Sequence, residues 1–312
     1  MIVSRLAPSP TGSLHLGNAR TFLWAWLSAK AQDGRILLRI EDLESPRVKA
    51  GVTEQMLDDL RWLGLTWDET TEENTQSRRR EYYSKIHRRL LALGAIYPCI
   101  CTRGDIAAAQ SAPHEGDTEL RYPGTCRRKF PDERAAFDAS GRAPVWRLKV
   151  EPGIVTFDDI LFGRQNIDVD STIGDFVVSK AADNPAYQLA VVADDIAMGV
   201  NEVVRGDDLI PSTGRQILLY RLLNAPLPRY GHVPLVVGPD GKRLAKRHGD
   251  ARIASFRKNG VKPERIIGTL ARWSGLNCSG DAMPVDLIPL WSWQRVRRVR
   301  VVLTTEMLDF GF

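Results

Sequence analysis

Two short segments of the chain have the composition of anion-binding loops. The first, Ala7-Pro8-Ser9-Pro10-Thr11-Gly12-Ser13-Leu14-His15-Leu16-Gly17-Asn18, joins a turn rich in proline and glycine to the predicted start of a helix. The second, Gly241-Lys242-Arg243-Leu244-Ala245-Lys246-Arg247-His248-Gly249, is a basic loop between glycines. Helix N-termini attract anions, and a lysine on a loop adds a mobile positive charge. Together the segments predict a site that holds a polyphosphate from two sides.

Charged residues near the ends of predicted strands could recognise a substrate. Arg5 and Arg205 lie near the ends of two such strands, and Glu41 follows a third. Two arginines that reach one pocket favour a side-chain carboxylate over an amide, because a buried guanidinium without a partner is costly. From the residues alone, each arginine could instead pair with a nearby acid such as Asp207 or Asp208.

Three of the four cysteines lie close together in the sequence, at Cys99, Cys101 and Cys126. This spacing is typical of metal binding or free thiols in a reducing compartment and not of a disulfide framework. A structural zinc ion needs four ligands, and from first principles His114 is a more conventional fourth ligand than Tyr122. The remaining cysteine, Cys278, is expected to have a structural role.

The elements around the first loop predict a parallel sheet. Residues 2–7 have the apolar pattern of a short buried strand, residues 17–31 that of a helix, and residues 35–40 that of a second strand. Strand, helix and strand at this spacing predict a right-handed crossover, and ligands of such sheets bind at the carboxyl ends of the strands. We therefore predict an α/β fold with a doubly wound parallel sheet that brings Ser9 and His15 to one edge.

A change of pattern divides the chain into four predicted regions. Residues 97–175 contain short strands and turns rich in glycine, proline and aspartate, and are predicted to form a subdomain inserted between two halves of the sheet domain. The halves are predicted to span residues 1–96 and 176–249, the second of which includes the basic loop. A helical C-terminal region is predicted for residues 250–312.

Composition sets wider limits on function. Of 312 residues, 43% are hydrophobic and 26% are charged, which is typical of a globular protein. Lysine and arginine number 43 against 38 acidic residues, a net charge of +5 that suits a polyanionic partner. Basic residues cluster at 78–80, 88–89, 127–129 and 295–300, although each cluster could be a solvated helix face. Because the sequence has no membrane-spanning run and no signal peptide, we expect a cytoplasmic protein without a membrane partner. We also expect a monomer.

The two loops resemble the two signature sequences of class I aminoacyl-tRNA synthetases. Leu16 and Asn18 stand where the first signature usually has Ile and His. Arg243 and Ala245 stand where the second signature usually has Lys and Ser, whereas the chemically most important lysine, Lys246, is present.

The resemblance covers residues 2–249 and implies the Rossmann-like catalytic domain of this family. It implies catalytic roles for His15 and for Lys246, whose charge would follow the α-phosphate as pyrophosphate leaves. It also implies that Mg²⁺ accompanies the ATP. The ATP-binding residues that it implies are His15, Gly17, Asn18, Arg243, Leu244 and Lys246.

Four strings resemble the amino-acid site of the glutamyl branch of this family: RLAPSPTG, RIED, YQLAVVADD and VRGDD. They imply that L-glutamate is the amino acid substrate. In that site Glu41 would pair with the α-ammonium group, and Tyr187 would add a hydrogen bond. The implied glutamate-binding residues are Arg5, Leu6, Ala7, Pro8, Ser9, Glu41, Tyr187 and Arg205.

The Cys-x-Cys…Tyr-x₃-Cys spacing resembles the zinc site of one glutamyl subfamily. It implies one structural Zn²⁺ per chain, bound by Cys99, Cys101, Tyr122 and Cys126. That subfamily activates glutamate with ATP and transfers it to queuosine at the wobble position of tRNA(Asp). The chain is also too short after the basic loop for the two anticodon-reading domains of full glutamyl-tRNA synthetases. The expected activity is therefore that of a ligase with L-glutamate, ATP and tRNA(Asp) bearing queuosine as substrates.

Two alternatives fit the same residues. One is a truncated glutamyl-tRNA synthetase that charges tRNA(Glu) or tRNA(Gln). The other is a non-catalytic paralogue that binds an amino acid or a nucleotide, which the departures at Arg243 and Ala245 make conceivable. A dinucleotide-binding oxidoreductase is disfavoured, because no G-x-G-x-x-G motif follows the first strand.

Overall fold

The structure of the chain is a computed structural model that describes residues 1–43, 51–68, 71–109, 121–242, 244, 250–304 and 306–308. Its strands are β1 (Val3–Leu6), β2 (Arg35–Leu38), β3 (Ile96–Cys99), β4 (Val145–Leu148), β5 (Ile154–Asp159), β6 (Gly163–Asp168), β7 (Val177–Ala181), β8 (Asn184–Pro185), β9 (Glu202–Gly206), β10 (Arg229–Val233), β11 (Val236–Val237) and β12 (Val301–Val302). Its α-helices are α1 (Leu16–Lys30), α2 (Val52–Trp62), α3 (Arg80–Ala92), α4 (Arg103–Ala109), α5 (Glu133–Ser140), α6 (Val169–Thr172), α7 (Tyr187–Ala197), α8 (Ile210–Leu222), α9 (Ile253–Lys258) and α10 (Pro263–Ser274).

Parallel strands form the centre of the molecule. β1 pairs with β2 in parallel, and β10 pairs in parallel with both β9 and β5. The β1–β2 pair lies next to β9, since the backbone N–H of Asn201, just before β9, donates to the carbonyl of Val3 in β1 at 3.0 Å. Strands β1, β2, β9 and β10 are mostly buried, as parallel strands covered by helices must be, whereas β5 at the side of the sheet is exposed on alternate residues. The predicted α/β class with a parallel sheet is confirmed.

Helix α1 is the centre of one hydrophobic core, because its sequence is apolar on nearly every side. Trp24 is fully buried and donates from Nε1 to Ser274 Oγ at 2.7 Å. Its ring meets the edges of Trp291 and Trp293, with centroids 5.1 and 5.8 Å away. Burying one large apolar side chain contributes about 1.5–3 kcal/mol. These contacts join the C-terminal region to the first helix of the sheet.

An antiparallel sheet lies beside the parallel one, with the strand order β3-β4-β7-β8. The range predicted as an insertion, 97–175, contributes β4 and most of β3 to this sheet. Its β5–β6 hairpin instead continues the parallel sheet through β10. The four domain boundaries given above remain a prediction.

The last described strand returns to the sheet domain. β12 pairs in parallel with β11, which leads towards the basic loop. Nearby, Arg300 Nε lies 3.1 Å from Asp207 Oδ2, just after β9. Within the described residues, none of the helices combines the length and apolar character that crossing a membrane requires.

Candidate functional site

A cavity of about 520 Å³ opens at the carboxyl ends of β1 and β9. The predicted residue Leu6 is fully buried in the hydrophobic core and does not line the cavity. The predicted residues Arg243 and Lys246 lie outside the described residues. The sequence-predicted residues that line the cavity are Arg5, Ala7, Pro8, Ser9, His15, Gly17, Asn18, Glu41, Tyr187, Arg205 and Leu244.

The first loop ends at the N-terminus of α1, where His15 is the N-cap residue. The backbone N–H of Asn18 donates to His15 Nδ1 at 3.2 Å. Because Nδ1 accepts, the neutral ring carries its proton on Nε2. A Cβ atom at Gly17 would lie 3.1 Å from the His15 ring, so a larger residue here would press on the imidazole, whereas glycine leaves room for it. The α1 N-terminus and an imidazole N–H donor therefore belong to the same short segment.

The backbone beyond the second loop is held beside this helix N-terminus. Leu16 N donates to the carbonyl of Ala251, and Ile253 N donates to the carbonyl of Leu14, both at 2.9 Å. Within the loop, Leu244 lines the cavity. The segment that follows the basic loop is therefore held against the N-terminus of α1.

Two buried arginines share one carboxylate at the base of the cavity. Arg5 Nε lies 3.3 Å from Asp195 Oδ1, and Arg39 Nη1 donates to the same oxygen. Arg39 also donates to Glu41 Oε1 at 2.9 Å, while Ser9 Oγ donates to Glu41 Oε2 at 3.4 Å. Burial opposes ionisation of Asp195, but the attraction of Arg39 and Arg5 holds its pKa below the usual value. These arginines thus obtain their counter-charge from the chain.

Arg205 is held differently, by uncharged groups. Its Nε donates to His232 Nε2 at 3.1 Å, its Nη1 to Gln216 Oε1 at 2.7 Å, and its Nη2 to Thr213 Oγ1 at 2.7 Å. Arg205 is only 5% exposed yet lines the cavity. Its positive charge is oriented but not neutralised by these bonds, which favours an anionic group in the cavity.

The acids next to Arg205 in sequence were the alternative partners of the two arginines. Asp207 accepts instead from Arg300, and Arg5 uses Asp195, which is 190 residues away in sequence. Asp195 belongs to the YQLAVVADD string. Because Arg5 pairs with it and not with the acids that follow β9, the end of β9 forms part of the cavity wall.

Tyr187 lies at the mouth of the cavity on the first turn of α7, and its side chain is 43% exposed. Desolvation by the cavity wall raises its pKa, and the negative charge of Glu41 raises it further. The phenol therefore stays protonated at neutral pH and can donate a hydrogen bond to a ligand.

Several ionisable residues of the site were not predicted from the sequence. Arg39, Asp195 and His232 have no functional assignment in the sequence analysis, although all three are nearly or fully buried. A signal was present for the first two, because each is a charged residue within an apolar run. Such a residue seldom stays buried without an opposite charge or hydrogen-bonding partners.

The second candidate site is a thiol cluster formed by Cys99, Cys101, Tyr122 and Cys126. The three Sγ atoms lie within 4.8 Å of one another. Tyr122 Oη is 3.3 Å from Cys99 Sγ and 3.5 Å from Cys101 Sγ. Tetrahedral zinc with bonds of about 2.0–2.3 Å requires ligand separations of about 3.5–3.8 Å. The cluster could therefore hold a metal ion with Tyr122 as fourth ligand, whereas His114 lies outside the described residues.

The surroundings of the cluster are buried and contain a cation. Burial raises the pKa of the Cys101 thiol to about 11 and also raises the pKa of Tyr122. Arg147 donates from Nε to Cys99 Sγ at 3.3 Å, and its guanidinium carbon lies 3.8 Å from the Tyr122 ring centroid. Metal binding here must release protons, as is general for thiolate sites.

Comparison with known proteins identifies the class. The chain belongs to the family described as "tRNA synthetases class I (E and Q), catalytic domain", whose model matches residues 1–282. It is therefore an enzyme of the ligase class, as predicted. Among its relatives, a glutamyl-Q tRNA(Asp) synthetase from Symbiobacterium thermophilum is 46% identical, with 99% of this chain and 98% of the relative covered.

More distant relatives support the glutamyl branch. A glutamate–tRNA ligase from Aquifex aeolicus is 39% identical over 86% of this chain and 56% of its own length. The crystal structure of a glutamate tRNA ligase from Elizabethkingia meningosepticum, in complex with its amino acid, superposes with a TM-score of 0.84 at 27% identity. That match covers 99% of this chain and 68% of the ligase.

Proposed function

We propose that this chain activates L-glutamate with ATP and transfers the glutamate to queuosine at the wobble position of tRNA(Asp). The observation that carries the choice of amino acid is Arg205, a buried guanidinium in the cavity wall whose hydrogen-bond acceptors are uncharged. The choice of acceptor is supported by several relatives named glutamyl-Q tRNA(Asp) synthetase, among them three that match 97–98% of their own length.

We assign the cavity end that contains the arginines to glutamate. Arg205 would receive the side-chain carboxylate beside Arg5, and glutamine would be rejected because its amide brings no charge to Arg205. Glu41 would bind the α-ammonium group, with Ser9 fixing its second oxygen. Tyr187 would donate its hydroxyl to the substrate at the mouth of the cavity.

The activation step follows from the two loops. An oxygen of the glutamate α-carboxylate attacks the α-phosphorus of ATP, a carboxyl–phosphate bond forms, and the bond to pyrophosphate breaks. His15 Nε2–H and the N-terminus of α1 would stabilise the phosphates from one side, and Lys246 from the other. Mg²⁺ bound with ATP supplies further positive charge to the phosphates. No enzyme nucleophile is required, because the substrate carboxylate is itself the nucleophile.

The transfer step forms an ester. A hydroxyl of the queuosine cyclopentene diol attacks the carbonyl carbon of glutamyl adenylate, the bond to the phosphate breaks, AMP leaves, and the hydroxyl proton passes to solvent. This diol resembles the ribose diol that synthetases usually acylate, so the same chemistry serves. The basic clusters at 78–80, 127–129 and 295–300 would bind RNA phosphates. We further propose that the enzyme is cytoplasmic and acts as a monomer.

We assign one structural Zn²⁺ to the thiol cluster. The three sulfur atoms lie within 4.8 Å of one another, and Tyr122 Oη lies 3.3 and 3.5 Å from two of them. Together they supply the donor chemistry of a tetrahedral zinc site. The ion would tie β3 to the segment that contains Cys126. No step of activation or transfer involves it.

Pyrophosphate exchange tests the activation step. The chain is incubated with ATP, labelled pyrophosphate and each amino acid in turn, without RNA. We expect exchange with glutamate and none with glutamine. Exchange that requires tRNA would support the truncated glutamyl-tRNA synthetase, and nucleotide binding without exchange would support the non-catalytic paralogue.

Acceptor identity is tested with labelled glutamate and two modified RNAs. Transfer should persist on tRNA(Asp) that lacks its 3′ adenosine and should vanish on tRNA(Asp) from a strain that cannot make queuosine. Nuclease mapping should place the label in the anticodon loop. Label at the 3′ end, or on queuosine-free tRNA, would overturn the proposed acceptor.

A further inference from the structure

Behind Arg205 lies a buried histidine on the neighbouring strand. In the parallel pairing of β9 with β10, Arg205 is directly opposite His232, which is fully buried. A guanidinium can only donate, so the 3.1 Å bond from Arg205 Nε makes His232 Nε2 the acceptor. The imidazole proton must then be on Nδ1, and burial lowers the pKa of the ring, which agrees with a neutral histidine.

The His232 ring is fixed in turn by Asp159, the last residue of β5. Asp159 Oδ2 accepts from His232 Nδ1 at 2.7 Å and from His232 N at 3.0 Å. Its other oxygen accepts from the backbone N–H groups of Leu161 and Phe162 at 3.0 and 2.8 Å. Backbone groups of two chain segments therefore hold Asp159, and the order of contacts is Asp159, His232, Arg205, cavity.

We propose that Asp159 and His232 are positioning residues that orient the Arg205 guanidinium for the carboxylate of the substrate. This inference rests on the proposed function of Arg205 in binding glutamate. Direct pairing with an aspartate, as in Arg5 and Asp195, would neutralise Arg205 where the substrate must bind. A neutral imidazole placed between Arg205 and Asp159 fixes the orientation and leaves the charge available to glutamate.

Two substitutions of His232 separate orientation from packing. His232→Gln can keep an acceptor near the Nε2 position, facing Arg205. His232→Asn can keep a donor near Asp159 but is too short to reach Arg205. His87→Asn is the matched control, because His87 is also a buried histidine, with Nδ1 2.9 Å from Ser179 Oγ in the antiparallel sheet.

The readouts are kcat and KM in pyrophosphate exchange, with glutamate and ATP varied separately. We expect His232→Asn to raise the glutamate KM about tenfold, the lower end of what a hydrogen bond to a charged group contributes. The KM for ATP and kcat should stay near wild type, and His232→Gln should restore most of the glutamate KM. Asp159→Asn should raise the glutamate KM less than His232→Asn, because Asn can still accept from Nδ1.

Each outcome decides the inference. An unchanged glutamate KM in His232→Asn, or an equal loss for both substrates, would overturn it. Melting temperatures are measured for all variants. If His232→Asn does not fold, the glutamate and ATP KM values of Asp159→Asn and His232→Gln show whether these residues position Arg205. Arg205→Ala distinguishes failure of the proposed function from failure of the positioning role. An unchanged glutamate KM in Arg205→Ala refutes the proposed function. A raised glutamate KM in Arg205→Ala, together with a wild-type glutamate KM in the His232 variants, refutes only the positioning role.

Discussion

The cavity and the thiol cluster treat buried charge in opposite ways. Around the cavity, Asp195 and Glu41 neutralise Arg5 and Arg39, and one further positive charge, on Arg205, is held by neutral acceptors. In the thiol cluster, three thiols and a phenol meet, and Arg147 is the cation in contact with them. Ionisation of that cluster would leave it negative.

This difference predicts two kinds of dependence on ligand. Removing charges from water is costly unless opposite charges or hydrogen bonds compensate for it. The cavity obtains most of its compensation from the chain and should be formed before glutamate binds. Among the residues that the structure describes, Arg147 is the cation in contact with the cluster. One cation cannot balance several thiolates, so the ionised form of the cluster should depend on a metal ion.

The largest expected effect concerns the loop whose lysine would act on the reacting phosphate. Lys246→Ala should lower the rate of pyrophosphate exchange by about 10²–10³, the usual cost of losing one donor to a transition state. Glutamate binding should change little, because the charge is needed mainly as the α-phosphate reacts. The exposed Lys242, substituted by alanine, is the control on the same loop. Equal rates for the two variants would contradict the assignment of this loop.

Substitution of Asp195 tests whether this carboxylate neutralises the buried charges of Arg5 and Arg39. Asp195→Asn should lower the free energy of unfolding by about 3 kcal/mol, because it leaves Arg5 and Arg39 short of a buried counter-charge. Urea denaturation measures this, with Asp183→Asn as control, since Asp183 pairs with Arg80 on the surface at 3.5 Å and should contribute under about 1 kcal/mol.

The pH dependence of the same variant follows from the lowered pKa of Asp195. A carboxylate with a depressed pKa in the folded state stabilises the fold above its unfolded pKa, about 3.9, and loses that contribution as the pH falls through the folded value. The difference between wild type and Asp195→Asn should therefore be constant near neutral pH and shrink in acid. A constant difference down to the lowest pH at which the fold persists would refute the ionic explanation.

The same contrast shows what could be predicted from the sequence. Contiguous strings identified His15, Arg5 and Arg205, because a loop and the helix or strand beside it are local features. The buried groups that hold Arg5 and Arg205 in place could not be identified. Asp195 meets Arg5 across 190 residues, and behind Arg205 the contact between Asp159 and His232 spans 73 residues. Those pairings depend on how β5, β9, β10 and α7 pack, which no local pattern specifies.

The thiol cluster was predictable for a related reason. Cys99 and Cys101 are two residues apart in the sequence, and Tyr122 and Cys126 follow soon after them, so few long-range contacts are needed. The cation behind them was not predicted, because Arg147 comes from β4, the neighbouring strand of the antiparallel sheet.

Cys126 tests whether the cluster and the cavity are independent. Cys126→Ser should weaken zinc binding about a hundredfold, at least as much as the loss of outer-shell partners costs other metal sites. Glutamate activation without RNA should remain, because the assigned ion takes no part in it. Cys278→Ser is the control, because the Cys278 thiol donates to the Gly280 carbonyl at 3.2 Å and takes no part in the cluster. This variant should keep full zinc. Loss of zinc from both variants alike would point to a general change in folding.

The smallest expected effect concerns the fourth ligand of the cluster. Tyr122 Oη lies within 3.5 Å of two of the sulfur atoms, so Tyr122→Phe should lower zinc affinity about tenfold in a chelator competition, while His114→Ala should not. Tyr122 Oη also accepts from the backbone N–H of Cys126 at 2.7 Å, and a purely structural loss could mimic a ligand effect. Spectroscopy separates the two explanations: zinc added to the metal-free wild type should produce the ultraviolet difference band of a tyrosinate, because ligation deprotonates the phenol. Zinc binding without that band, together with weaker binding by His114→Ala, would show that the histidine is the ligand and that Tyr122 only supports Cys126.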